Sequence, residues 1–145
     1  MKSANSIHVI FYSSSANPDG DRLQRIIGML FTREQLETYR TIEALTQRLH
    51  KPMNDPLIFV ILASTPDELN KMTQLRQPLQ DRRIILIIPD SDPDSIAKGH
   101  SLRPRFLTYA DADFVEILGV LGKMAGTCGH AGYSNKNIPV HYARR

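Results

Sequence analysis

Apolar residues fall into two kinds of pattern along this chain. Residues 7–12 (IHVIFY), 57–62 (LIFVIL) and 84–88 (IILII) are short, nearly unbroken apolar runs rich in β-branched side chains. Such runs predict strands buried on both faces of a parallel sheet. Two more polar runs, residues 36–41 (LETYRT) and 105–109 (RFLTY), are expected at the sheet edges. Between the strands the apolar positions change to helical spacing: Leu23, Ile26, Ile27 and Leu30, then Ile42, Leu45 and Leu49, then Leu69, Met72 and Leu75. A weaker helix is expected over residues 95–101. A stronger one is expected over residues 114–125, with Phe114, Ile117, Leu118, Leu121, Met124 and Ala125 as its core-facing stripe.

Strand and helix therefore alternate five times, which calls for a parallel sheet covered by helices on both faces. Right-handed crossovers, with the two polar strands at the edges, give the strand order 2-1-3-4-5. The expected fold is a flavodoxin-like (βα)5 three-layer α/β sandwich. Helix starts point the same way. Asn17-Pro18-Asp19, Thr65-Pro66-Asp67 and Asp92-Pro93-Asp94 each present a capping side chain, a proline at the first helical position and an acid in the first turn. Thr65 with Glu68, and Asp113 with Glu116, have capping-box spacing. All these turns leave the C-terminal ends of the strands, where such sheets bind ligands. Residues 1–126 are expected to form one domain, and residues 127–145, rich in Gly, Ser, Asn and His without periodicity, a C-terminal tail.

Length and composition agree with a single ordinary globular domain: 145 residues, 41% hydrophobic and 23% charged. No run approaches the roughly 20 apolar residues that span a bilayer, and the polar N-terminus does not resemble a signal peptide, so a cytoplasmic protein is expected. With Cys128 as the one cysteine, neither an intramolecular disulfide nor a cysteine-based zinc site can form. The net charge of +3 is mild. Arg103, Arg105, Lys136, Arg144 and Arg145 make the C-terminal part basic, which reads as a solvated end rather than a nucleic-acid surface.

The turn after the first strand, Tyr12-Ser13-Ser14-Ser15-Ala16-Asn17, is the one stretch that invites a ligand. Hydroxyls and a helix N-terminus at Ser13, Ser14, Ser15 and Asn17 suit a phosphate. In this respect the turn resembles the phosphate loop of flavodoxins. A flavin ring, however, needs apolar and aromatic walls, and the loops Ala63-Ser64-Thr65-Pro66 and Pro89-Asp90-Ser91-Asp92 supply no aromatic residue and add acids. No cofactor is expected, and FMN enters only with the alternative reading below.

Over about residues 6–126 the chain resembles more closely the receiver domains of two-component response regulators. The residues that carry this resemblance are Arg105-Phe106-Leu107-Thr108-Tyr109-Ala110-Asp111 followed by Phe114-Val115-Glu116-Ile117-Leu118, similar to the family's last strand, turn and helix, together with Pro66 four residues beyond Leu62. Residue by residue, the resemblance implies that the phosphorylation chemistry is missing. The family's acidic pair falls on Tyr12, Ser13 and Ser14, its phosphoacceptor on Leu62 or Ala63, its switch hydroxyl on Ile88 or Pro89, and its lysine on Tyr109. Magnesium requires oxygen ligands and an acyl phosphate requires a carboxylate nucleophile. The implied protein is a receiver-like signalling or protein-interaction module that works without phosphorylation, the alternative being a flavodoxin-like binder of a phosphorylated small molecule or FMN through the first βα turn.

Other candidate chemistry is weak. Asp90, Asp92 and Asp111 are the only acids placed to rebuild a metal site, and caps and first-turn acids account for Asp92, Asp94 and Asp113. His8, His50, His100, His130 and His141 form no pair at metal-ligand helical spacing. No nucleophile elbow, Walker loop or dinucleotide fingerprint is present, so enzymatic activity has no support in the sequence. The last helix is unusual in carrying Val115 and Val120 outside its predicted stripe, among Gly119, Gly122 and Gly126. Helical glycine costs up to about 1 kcal/mol, so Val115, Gly119, Val120 and Gly122 are expected to mark an interface. A protein partner is expected, and a homodimer through the last strand and helix would bury these positions. A membrane partner is not expected.

Overall fold

The computed structural model describes residues 7–14, 18–51, 56–110 and 113–126. Strands and helices alternate in the order β1 (His8–Ser13), α1 (Pro18–Ile27), β2 (Leu36–Tyr39), α2 (Ile42–Leu49), β3 (Leu57–Leu62), α3 (Pro66–Thr73), β4 (Arg83–Ile88), α4 (Pro93–Ser101), β5 (Phe106–Tyr109) and α5 (Phe114–Ala125). All neighbouring strands are parallel, and the sheet order is β2-β1-β3-β4-β5. This is the flavodoxin-like arrangement read from the sequence. The more polar β2 and β5 are the edges.

Alternation along the strands divides the interior into two layers. Val9, Phe11, Ile58, Val60, Ile85 and Ile87 face α1 and α5, meeting Leu23, Ile27, Phe114, Ile117 and Leu121. Ile10, Tyr12, Phe59, Ile61, Leu86 and Ile88 face the other way, toward Leu45, Leu49, Leu69, Met72 and Leu102 on the α2, α3 and α4 side. Both faces of β1, β3 and β4 are dry, which is why these strands read as continuous apolar runs.

Pro18, Pro66 and Pro93 are the first residues of their helices. Thr65 Oγ1 accepts from the Glu68 amide at 3.1 Å, and Asp113 Oδ1 accepts from the Val115 amide at 3.0 Å. The expected cap at Asp92 differs: its side chain makes no capping hydrogen bond, and its amide instead donates to Asp90 Oδ1 at 3.1 Å. Asp90 thus closes a side-chain turn ahead of the helix, leaving the proline and the i→i−4 bond from Ile96 to the Asp92 carbonyl to start it.

Two predicted stripes shift. α1 stops at Ile27, where i→i−3 bonds from Met29 and Leu30 tighten the chain. Leu30 turns outward as a result, and Phe31 enters the core in its place. In α5 the buried stripe is centred on Ile117 and Leu121, rotated from the predicted one, so that Val120 is 6% exposed within the α1 and α5 layer. Val120 is therefore a core residue and not part of an outward-facing surface. Gly122 is buried as well. Val115, at 67% exposure, and Gly119 remain outside. Among the described residues no helix is long and apolar enough to cross a membrane.

Candidate functional site

The parallel register brings the predicted site positions to one edge of the sheet. Ser13 pairs with Leu62, Leu62 with Ile87, and Ile88 with Tyr109. The amide of Ala63 donates to the Ile87 carbonyl at 2.9 Å and that of Ala110 to the Ile88 carbonyl at 2.9 Å, so the ladder runs to the last residue of each strand. The four strand ends to which the receiver resemblance assigns chemistry are thus side by side. What they present is apolar or already engaged.

Ser13 lies on the α1 side of β1 and is fully buried. Its hydroxyl donates to the Ser14 carbonyl at 3.3 Å. Gly20, in the first turn of α1, packs directly on it: a Cβ at Gly20 would coincide with the Ser13 hydroxyl. The glycine is what allows the helix start to sit over the strand end. Ser14 is half-buried beside it, while Ser15 and Asn17 lie outside the described residues. Tyr12 points to the opposite face. Burial, with the negative charges of Glu68 and Glu43 behind it, pushes its hydroxyl up to about 12, so the phenol is a neutral group at physiological pH.

The end of β3 is closed by its own turn. Leu62 and Ala63 are both buried. Glu68 reaches back from the first turn of α3, and its Oε1 accepts from the Ser64 amide at 3.0 Å and the Ser64 hydroxyl at 3.2 Å. The sequence predicts the capping-box contact at the Thr65 amide. The structure displaces it by one residue, with the consequence that both donors of Ser64, amide and hydroxyl, have Glu68 as their partner.

A cleft of about 520 Å³ opens between the loops after β4 and β5 and the start of α1, lined by Asp19, Pro89, Asp90, Ser91, Tyr109 and Ala110. Pro89 and Tyr109, the positions of the family's switch hydroxyl and lysine, both contribute to it. Its described lining includes two carboxylates, Asp19 and Asp90. Asp90 and Asp92 are joined by the turn described above, whereas Asp111 lies outside the described residues. Among the described residues no three His, Cys, Asp or Glu side chains approach closely enough to hold a metal ion. Asp19 was legible as a first-turn acid only. Its place in the cleft depends on how α1 returns past β4.

Charge chemistry off this edge was not legible either. Arg48 of α2 donates through Nε to Glu37 Oε1 at 2.7 Å, and the Tyr39 hydroxyl donates to the same oxygen at 2.7 Å. The guanidinium hydrogen bond holds the Glu37 carboxyl below its ordinary range, outweighing burial, which alone would raise it. Burial and the bond to Glu37 push Tyr39 up to about 12. This clasp ties edge strand β2 to α2.

No known family model, curated protein or solved structure matches the chain.

Proposed function

We propose that this protein is a receiver-like protein-interaction module that works without phosphorylation. The single observation that carries the reading is the state of the strand ends: Leu62 and Ala63, on which the resemblance puts the phosphoacceptor, are buried apolar residues, and the turn beyond them is closed by Glu68 on Ser64. An acyl phosphate needs a carboxylate nucleophile at that point. Such a module would signal through the surface it offers to a protein partner, and α5, which follows edge strand β5 in the chain, exposes an apolar side chain, Val115. A second copy of the chain is the partner this face suits.

Incubation with acetyl phosphate and magnesium, followed by intact-mass measurement, tests the reading. The expected spectrum shows no phosphoryl adduct. An adduct on any aspartate would overturn it.

A further inference from the structure

The opposite edge of the molecule carries a second feature. Between the turns that follow α3 and the C-terminal end of α4 lies an open groove of about 520 Å³. Leu102 belongs to its lining and is buried, and the exposed side chains around it are Gln74, Arg76, Gln77, Gln80 and Arg103. Among the described residues no carboxylate lines it. Thr73 and Ser101 complete the wall, but their hydroxyls donate to the Asn70 and Lys98 carbonyls at 2.6 Å each. The side-chain donors left for a ligand are guanidinium and amide groups.

Charge is sorted along this layer. Asp67, Glu68 and Asp94 stand in the first turns of α3 and α4, at the far edge, where helix dipoles favour them. The segments 74–83 and 98–105, at the groove end, hold Arg76, Arg82, Lys98, Arg103 and Arg105 against the single acid Asp81, while Arg83 turns to the other layer, where its Nη1 donates to the Met124 carbonyl at 3.2 Å. Lys98 is paired with Asp94 at 3.0 Å. Neither Arg76 nor Arg103 has an ion-pair partner among the described residues. Arg103 also occupies a position that glycine would fill better, with φ 56° just beyond the α4 cap and its amide donating to the His100 carbonyl at 2.9 Å. The glutamines are spaced by three, and i→i−3 bonds tighten the turns around them, from Leu75 to Met72, Arg76 to Thr73 and Gln80 to Gln77.

We infer that this groove binds an acidic, extended peptide segment of a partner protein, the arginines taking its carboxylates and the glutamine amides its backbone. Arginine forks match carboxylates, and primary amides donate to and accept from peptide groups. A single-stranded nucleic acid would need aromatic platforms for its bases, and among the described residues no ring lines the groove. The inference goes beyond the proposed function: it concerns the edge remote from Leu62 and Ala63 and is independent of whether the protein is phosphorylated.

The test uses the full chain and a blocked octapeptide of alternating glutamate and serine, titrated into ¹⁵N-labelled protein. Saturable amide shifts are expected over residues 73–80 and 101–103, with at least a tenfold loss of affinity in the double variant Arg76→Glu, Arg103→Glu. Should that variant not fold, Arg76→Gln with Arg103→Gln removes the charges more gently and is expected to weaken binding in the same direction. Arg25→Glu, on exposed α1, is expected to leave the titration unchanged. The inference is overturned if the peptide causes no saturable shifts, if the groove variants bind as well as wild type, or if an octathymidylate occupies the same residues more tightly than the peptide. An acetyl phosphate adduct would end the proposed function and leave this titration unaffected.

Discussion

Ser13 and Gly20 show how much a single contact constrains the ligand-like turn. Because a Cβ at Gly20 would fall on the Ser13 hydroxyl and lie 2.7 Å from the Ser13 Cβ, Gly20→Ala has no room without moving α1 off the strand. The expected loss is about 1–3 kcal/mol, the range for overpacking a core. Ser13→Gly in the same chain should restore part of it, giving a favourable coupling in a double-mutant cycle measured by urea unfolding. A pair seven residues apart is invisible to pattern reading, since the contact exists only once the turn has folded back. Arg82 is a second case: its buried Nε has no hydrogen-bond partner among the described residues. An unmet buried donor costs about 1–3 kcal/mol, so Arg82→Met is expected to leave stability unchanged or raise it by up to about 1 kcal/mol in the same assay.

At the scale of elements, the Glu37, Tyr39 and Arg48 clasp makes β2 and α2 a pH-dependent unit. Glu37 is held below its ordinary value of 4.5 in the folded state, chiefly by the Arg48 hydrogen bond, so the unfolded chain takes up the proton more readily. The stabilisation is fully present above pH 4.5 and is lost as pH falls through the lower, folded value. Glu37→Gln should cost about 1 kcal/mol at neutral pH, discounted for partial exposure, and its deficit against wild type should shrink in acid. A pH series of denaturation midpoints checks this, and a deficit that is constant with pH would refute it. The clasp was hidden in the sequence because LETYRT reads only as a polar edge strand, while its partner lies on the following helix. The buried strands and the proline-led helix starts were legible for the converse reason: full burial and proline geometry leave marks within a few consecutive residues. The rotation of α5, which buries Val120, is set by packing against α1, where Arg22 also lies over the Phe114 ring at 5.1 Å. Nothing within residues 114–125 encodes it.

For the molecule as a whole, the order of strands was readable and so was the edge that gathers the loops, because five β-α units in one direction send every turn to the same side. The two clefts were not, since each is built from segments far apart in sequence. The same topology leaves two strand edges, and they differ. On β2, Glu37 is held by Arg48 of α2, an arrangement that discourages further pairing, whereas β5 is followed by α5, which carries Val115 at 67% exposure and Gly119, around which a Cβ would meet nothing within 4 Å. With Val120 and Gly122 inside the monomer, the surface left for a second copy is narrower than the sequence suggested and centres on Val115 and Gly119. A two-fold dimer is the commonest way to cover such a surface. Val115→Glu should therefore shift the protein from dimer to monomer in sedimentation velocity, and removing residues after Gly132 should not. Gly119→Ala sharpens the test, because helix propensity alone predicts a gain of up to about 1 kcal/mol for alanine at an open position. If a second copy packs closely on this glycine, the same change weakens the dimer even as it stabilises the isolated helix. A wild-type chain that sediments as a monomer at high concentration, with Gly119→Ala simply more stable, would end the dimer proposal.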